Sequence, residues 1–442
     1  MSLQNILVII FVLLCNFLLL VFWLNNHKVA HFASILRIYL PYILPCFFLF
    51  FWFFIFFIYK FPVTGDVVNF FIPQGRLAFQ GMIPNKDFPS SYMPLYPYVL
   101  GFIDLFWTND LSIGLFFTLS LCLLSVVLFN IIKNNNKFLF IMIVGLCNSV
   151  ILLLGVGYQQ DEIFVLLLIF LSLFSLTKKK YFLTGFLIGA SVLLSKITLI
   201  IFWIPFFLLS SKKKNYLFGL MVSFIPVMIF FLIAGFSPMK MLGQESLAIV
   251  PPSLITLSRF LPFIYNLLNS YPYLIYVGNM LVLGIISIFV ITNKREIGYD
   301  LYYQFGMLAV FWLIFVLLSF KALTSYRILV IVFIPFIVEV FRSKSPTLPI
   351  LFVIYSSLVS VHVMFFEDWA KITRKYIDLA SIPAANLHQF IILSAIEVSI
   401  VLLEILWVYL SLRIIFPSKS LLNSQNENSS LEGLPSIIVN QL

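Results

Sequence analysis

Charge is what this 442-residue chain has least of. Only 10% of its residues are Asp, Glu, Lys or Arg, while 62% are hydrophobic, and the mean hydropathy is +1.09. A soluble domain carries about a quarter of its residues as charges. The deficit excludes a soluble enzyme and describes a polytopic membrane protein. Histidine is also scarce. His27, His31, His362 and His388 are scattered, and only His27 and His31 share a helical face, with no acidic partner. No metal site is expected. The four cysteines, Cys15, Cys46, Cys122 and Cys147, lie in apolar stretches and form no CxxC, which excludes a disulfide framework. There is no GxxxxGK[ST] phosphate loop, no GxGxxG turn and no HExxH. No cofactor is expected, and no internal repeat of fixed period is visible.

The basic excess, 27 Lys and Arg against 17 Asp and Glu, does not make a nucleic-acid surface. The cations sit in short clusters between apolar runs: KNNNK (133–137), TKKK (177–180), SKKK (211–214), TNKRE (292–296) and RSK (342–344). That pattern places those loops in the cytoplasm. The 25–37 loop, with Lys28 and Arg37, fits the same side. The first apolar segment, about 4–24, is too long for a signal-peptide core and lacks a basic start and a cleavage site. It reads as a retained span.

What is abundant is apolar sequence in lengths that match a bilayer core, ~20 residues for ~30 Å. Candidate spans run near 4–24, 38–59, 111–132, 138–156, 162–177, 216–235, 272–292, 301–319, 328–341, 347–363 and 389–412. Together they predict an all-α membrane bundle of about 11–13 spans over 1–414, multi-pass in the plasma (cytoplasmic) membrane. The polar remainder, 415–442, reads as a loose cytoplasmic tail.

Parity constrains two stretches. The 60–92 segment is outside and KNNNK inside, so an odd number of crossings separates them. The short 93–107 piece, with Pro94, Pro97 and Asp104, reads as an interfacial helix within the first outer loop (60–110). The 181–210 stretch has basic clusters at both ends. Two half-length helices meeting near SKIT (195–198) satisfy that, with Lys196 at the outer tip. One long tilted span with a buried, paired Lys196 is the alternative. An ionisable residue at that depth is a functional-site hypothesis by default.

The outer side then collects Asp66, Asp161, Glu162 and Lys196. Each acid has an ordinary reading. Asp66, in FPVTGDVVNFF (61–71), is a preferred helix N-cap residue. Asp87 sits in NKDFPSSY, where a turn or a pairing with Lys86 suffices. Asp161 and Glu162 complement a helix dipole. Their convergence on one face suits a general base and a cation that offsets phosphate charge, with Arg327 or Arg374 as helpers.

The run GDVVNFFIPQGRLAFQGMIPNKDFPSSYMPLYPYVLG resembles the first outer loop of GT-C superfamily glycosyltransferases, most closely the polyprenol-phosphate-mannose-dependent mannosyltransferases. Asp66 matches the family's first acid. Gly81, Pro84, Asp87 and Phe88 match its middle, and Tyr92, Pro94 and Leu95 its end. Asn85 stands where the family has Tyr, and Met93 where it has Pro. YQQDEIFVLLLIFLSLF is similar to the family's mid-chain span opening. GFLIGASVLLSKITLIIFWIPFFLL resembles its lysine-bearing hairpin, and SYRILVIVFIP its late span.

The resemblance implies an inverting sugar transfer at the outer membrane face, with mannose as the sugar. The donor would be a polyprenyl-phosphate sugar. The acceptor would be a glycan, glycolipid or protein hydroxyl. It implies Asp66 as catalytic base, Lys196 as a phosphate contact, and Asp87, Tyr92, Gln160, Asp161 and Arg327 as substrate contacts. Two rivals remain open: a transporter or flippase of lipid-linked sugars, and an envelope-polysaccharide polymerase, for which the loops carry few Arg.

Overall fold

The computed structural model describes residues 3–417 except 64, 91, 134–135, 236–251, 272, 293–300, 320–321 and 374–383. Arg374 and residues 418–442 of the expected tail therefore lie outside the described residues. The described chain is helical apart from its links and one isolated bridge between Pro84 and Phe88.

α1 (Leu3–Leu24) and α2 (Asn26–Phe53, running on as a π-helical turn, Phe54–Ile58) lead in. The stretch 25–37, expected as a loop, is helical from Asn26 onward; it contains no Gly or Pro to stop a helix. A π-helical turn (Val67–Phe71), α3 (Ile72–Phe79) and α4 (Tyr96–Phe106) form the segment that follows. Then come α5 (Ser112–Ile132), α6 (Asn136–Leu146), a π-helix (Val150–Gly157), α7 (Glu162–Thr177) and α8 (Tyr181–Leu193). A 3-10 helix (Ile197–Phe202) leads to α9 (Trp203–Leu209) and α10 (Lys213–Ala234). The remainder is α11 (Leu254–Leu257), α12 (Pro262–Ser270), α13 (Tyr273–Thr292), α14 (Leu301–Leu317), a 3-10 turn (Thr324–Arg327), α15 (Ile328–Ile331), α16 (Ile334–Phe341), α17 (Leu348–Thr373) and α18 (Ala384–Ile415).

Six helices among the described residues are long and apolar enough to cross a membrane, or up to eight if each of two bent pairs counts as one span. Several other expected spans are shorter helices. α7 has 16 residues and α14 has 17, about 24–26 Å at 1.5 Å per residue. α14 forms the axis of the bundle: every residue from Tyr303 to Leu317 is buried. A helix that is apolar on all sides belongs inside a bundle. Its Trp312 stacks on Phe202 at 5.0 Å, and its Phe305 meets Phe336 at 4.5 Å. α1, α2, α10 and α13 instead carry rows of exposed large apolar side chains, as lipid-facing helices do.

Two stretches expected as continuous spans are bent. α6 and the π-helix after it meet at 49°, and α15 and α16 at 54°. At the first bend the side chain of Asn148 accepts from the Val150 and Ile151 N–H groups at 2.9 and 3.2 Å. Asn16 of α1 accepts from the Ser149 N–H at 3.2 Å and donates to the Ser149 and Ser357 hydroxyls at 2.8 Å each. Backbone groups freed inside a membrane need such partners. At the second bend Pro335 opens α16, where it has no N–H to complete the preceding helix.

α8 and α10 lie in backbone contact. A Cβ built on Gly219 would fall 1.9 Å from the Phe182 carbonyl oxygen, and one on Gly185 would fall 2.0 Å from that of Tyr216. Small residues let membrane helices approach this closely. Gly219→Val should therefore destabilise the protein by at least about 1–3 kcal/mol, the cost of overpacking. The check is thermal unfolding in detergent; an unchanged melting point would contradict the close packing.

Candidate functional site

Two helix ends build the site. The π-helix Val150–Gly157 closes with the Tyr158 N–H on the Leu153 carbonyl at 2.7 Å and the Gln160 N–H on that of Leu154 at 3.2 Å. Gln159 takes a left-handed φ of 52° there, the conformation that ends many helices. The end of α2 repeats the pattern: Tyr59 N–H to Phe54 at 2.8 Å, Phe61 N–H to Ile55 at 3.0 Å, and Lys60 at φ 56°. The two ends pack through Phe61 and Tyr158, edge to face at 5.6 Å. Gln160, from the second turn, then reaches Asp66, which starts the Val67–Phe71 turn that follows the first. Gln160 Nε2 donates to Asp66 Oδ2 at 3.2 Å and to the Tyr158 carbonyl at 3.1 Å.

Asp66 occupies the N-cap position of the Val67–Phe71 turn, yet its carboxylate accepts no bond from that turn. The ordinary capping account of Asp66 does not hold here. The carboxylate is exposed and is held by a neutral amide. Asp161 likewise stands at the N-cap position of α7 without capping it.

Lys196 lies in the link between α8 and the 3-10 helix, with extended backbone (φ −127°, ψ 140°). The Met93 N–H donates to the Ser195 carbonyl at 2.9 Å, so the 92–93 segment satisfies the broken backbone. The Lys196 ammonium bonds Asp161 Oδ1 at 2.9 Å and Glu162 Oε1 at 2.7 Å. Ser195 Oγ donates to Asp161 Oδ2 at 3.1 Å, and Ser325 Oγ to Glu162 Oε1 at 3.0 Å. The rings of Tyr92 and Tyr326 each lie 5.4 Å from the ammonium, within cation–π range. Burial, and then the charge of Asp161, push the Tyr92 phenol well above its ordinary value, so it stays protonated.

Tyr92, Asp161 and Lys196 thus form one contact group, and the Asp66–Gln160 pair is joined to it through the chain, Gln160 being next to Asp161. Asp87 and Arg327 do not join it by contact. Asp87 accepts the Ile83 N–H at 2.7 Å and locks its own turn. Of the two ordinary readings of Asp87, the turn is the one seen; Lys86 donates instead to the Ala234 carbonyl at 3.0 Å. The same turn needs a left-handed φ of 64° at Asn85, a conformation Asn tolerates better than most residues.

Arg327 is buried, and all five of its N–H groups are taken. They donate to both oxygens of Glu404 (2.7 and 3.1 Å) and to the carbonyls of Ala322, Leu323 and Pro252 (2.6, 3.2 and 2.6 Å). The guanidinium has no donor left for a phosphate, so the expected substrate contact becomes a structural one. The Tyr355 hydroxyl completes the node by donating to Glu404 at 3.0 Å.

Glu404 and Tyr355 lie outside every motif read from the sequence, and Ser325 and Tyr326 enter only as the start of SYRILVIVFIP. One signal was available: an acid in the middle of a long apolar helix, Glu404, demands a buried partner. No known family model, curated protein or solved structure matches this chain.

Breaking a buried ion pair by removing one partner costs about 3–5 kcal/mol. Arg327→Met is expected to destabilise by that amount, and Arg327→Met with Glu404→Leu to recover most of it. Unfolding in detergent measures both. A single variant as stable as the parent would contradict the structural role.

Proposed function

We propose that the protein is a membrane glycosyltransferase of GT-C type. It moves a sugar, mannose in the first instance, from a polyprenyl-phosphate donor to a hydroxyl acceptor at the outer membrane face. The observation that carries this reading is the Gln160 bond to Asp66. It sets an exposed carboxylate beside a residue whose chain neighbour, Asp161, is the ion partner of Lys196. A base and a cation are thereby brought within one short group of residues.

In the proposed reaction the Asp66 carboxylate takes the proton of the acceptor hydroxyl. The acceptor oxygen forms a bond to the anomeric carbon, and the bond from that carbon to the phosphate oxygen breaks. The electron pair leaves with the lipid phosphate, whose charge Lys196 offsets. Attack opposite the leaving group inverts the sugar. The polyprenyl tail stays in the bilayer throughout, which accounts for an apolar scaffold around so few charges.

A transporter or flippase of the same lipid-linked sugar is the second reading. It is favoured by the full pairing of Lys196 with two acids, as ionisable residues inside membranes pair with one another. Product formation separates the two, since a flippase breaks no bond.

A general base contributes about 100- to 10,000-fold to rate. Asp66→Asn in purified protein should lose about that factor in sugar transfer from polyprenyl-phosphate mannose, with unchanged thermal stability. A stably inserted Asp66→Asn protein that transfers at the normal rate would sink the proposal.

A further inference from the structure

The group around Lys196 carries one acid too many. Asp161 spends both oxygens, on Lys196 and on Ser195. Glu162 spends only Oε1, which accepts from both Lys196 and Ser325. Its Oε2 is buried and, among the described residues, has no hydrogen-bond partner. Among the described residues, the charged groups against Glu162 are Lys196 in the α8 link and Asp161 on its own turn. From the other elements it faces the hydroxyl of Ser325 in the 324–327 turn. The phenols of Tyr92 and Tyr96 lie close enough to feel its charge. Two ionised carboxylates and one ammonium would leave a net negative charge in a site where both acids are 1% exposed. A buried charge without its own counter-ion is far costlier than a buried neutral group.

We propose that Glu162 is a neutral carboxylic acid that positions Lys196 for an anion. Resting on the glycosyltransferase reading, the inference names the chemistry that Lys196 meets, the monoanionic oxygen of a phosphodiester. With its proton on Oε2, Glu162 binds Lys196 as a neutral acceptor, through its carbonyl oxygen Oε1. Lys196 then has one counter-charge, Asp161, and an incoming phosphodiester competes with a single carboxylate. Loss of the proton gives the site a second negative charge that repels the anion. The sign follows: anion binding is strong below the pH at which Glu162 ionises and falls above it, about tenfold per pH unit for one coupled proton. Glu162 acts through Lys196 and touches no reacting atom.

The test uses the full chain in detergent with methyl dodecyl phosphate, a diester that keeps one negative charge throughout. Infrared spectra of wild type minus Glu162→Gln isolate the group at 162. The carbonyl band of a protonated acid is expected, and carboxylate bands alone would overturn the proposal. Calorimetric titration is expected to show Glu162→Gln binding the probe as wild type does at neutral pH. Wild-type affinity should fall above the pH at which the band disappears, while that of Glu162→Gln stays flat.

If Lys196→Met abolishes binding but Glu162→Gln is as pH-dependent as wild type, the Glu162 proposal alone fails. If the probe binds wild type and Lys196→Met alike, or binds neither, the phosphate reading fails and this inference goes with it. Should Glu162→Gln not insert, Ser325→Ala serves in its place. Removing the hydroxyl on Oε1 must shift the protonated-acid band, and an unmoved band overturns the proposal.

Discussion

The structure depends on one ammonium group held between two buried acids. Lys196 with Asp161 and Glu162 joins segments that sequence distance would otherwise scatter. The break after α8, the start of α7, the 92–93 segment and the 324–327 turn all meet there. Removing Lys196 leaves the buried Asp161 carboxylate, 1% exposed, without its counter-ion. The irregular backbone of the α8 link is tolerated for a related reason: its open carbonyl is used by Met93, and protein surrounds it.

The second organising element is the four-residue 3-10 turn at 324–327. With three residues per turn, Thr324, Ser325 and Tyr326 point in three directions, and each of the four side chains meets a different partner. Thr324 bonds His362 Nδ1 at 2.8 Å, and His362 Nε2 lies 3.4 Å from Glu397. Ser325 bonds Glu162, Tyr326 covers Lys196, and Arg327 holds Glu404. The Tyr326 carbonyl accepts from the Trp312 indole at 2.8 Å, which fixes the turn to the central helix α14. The candidate site and the bundle core are therefore connected through four consecutive residues.

Much of this was legible in the sequence, and the reasons differ by element. Apolar length announces helices, so α1, α5, α10 and α13 fall where the runs predict. Basic clusters on both sides of an apolar stretch announce a break, and the helix does stop at Leu193 before Lys196. The bend near Asn148 was not legible, and the one at Pro335 was marked only by the proline itself. A helix of a given apolar length reads the same whether straight or broken, and the partners that heal the first bend come from helices distant in sequence. Arg327 shows a related limit. Its residue type suits a phosphate, but its five donors are spent on groups that only the fold brings near. Asp66 shows the reverse. Residue type favours a helix cap, while the fold gives its carboxylate to Gln160 instead.

Lys196 and the buried Asp161 are the pair that holds these segments together. A double-mutant cycle of Lys196→Met and Asp161→Asn, read as unfolding free energy in detergent, tests it most directly. Residues in direct contact within one network couple by about 0.5–3 kcal/mol, and with Asp161 1% exposed this pair is predicted to lie toward the upper end. Simple additivity of the two substitutions would contradict the account.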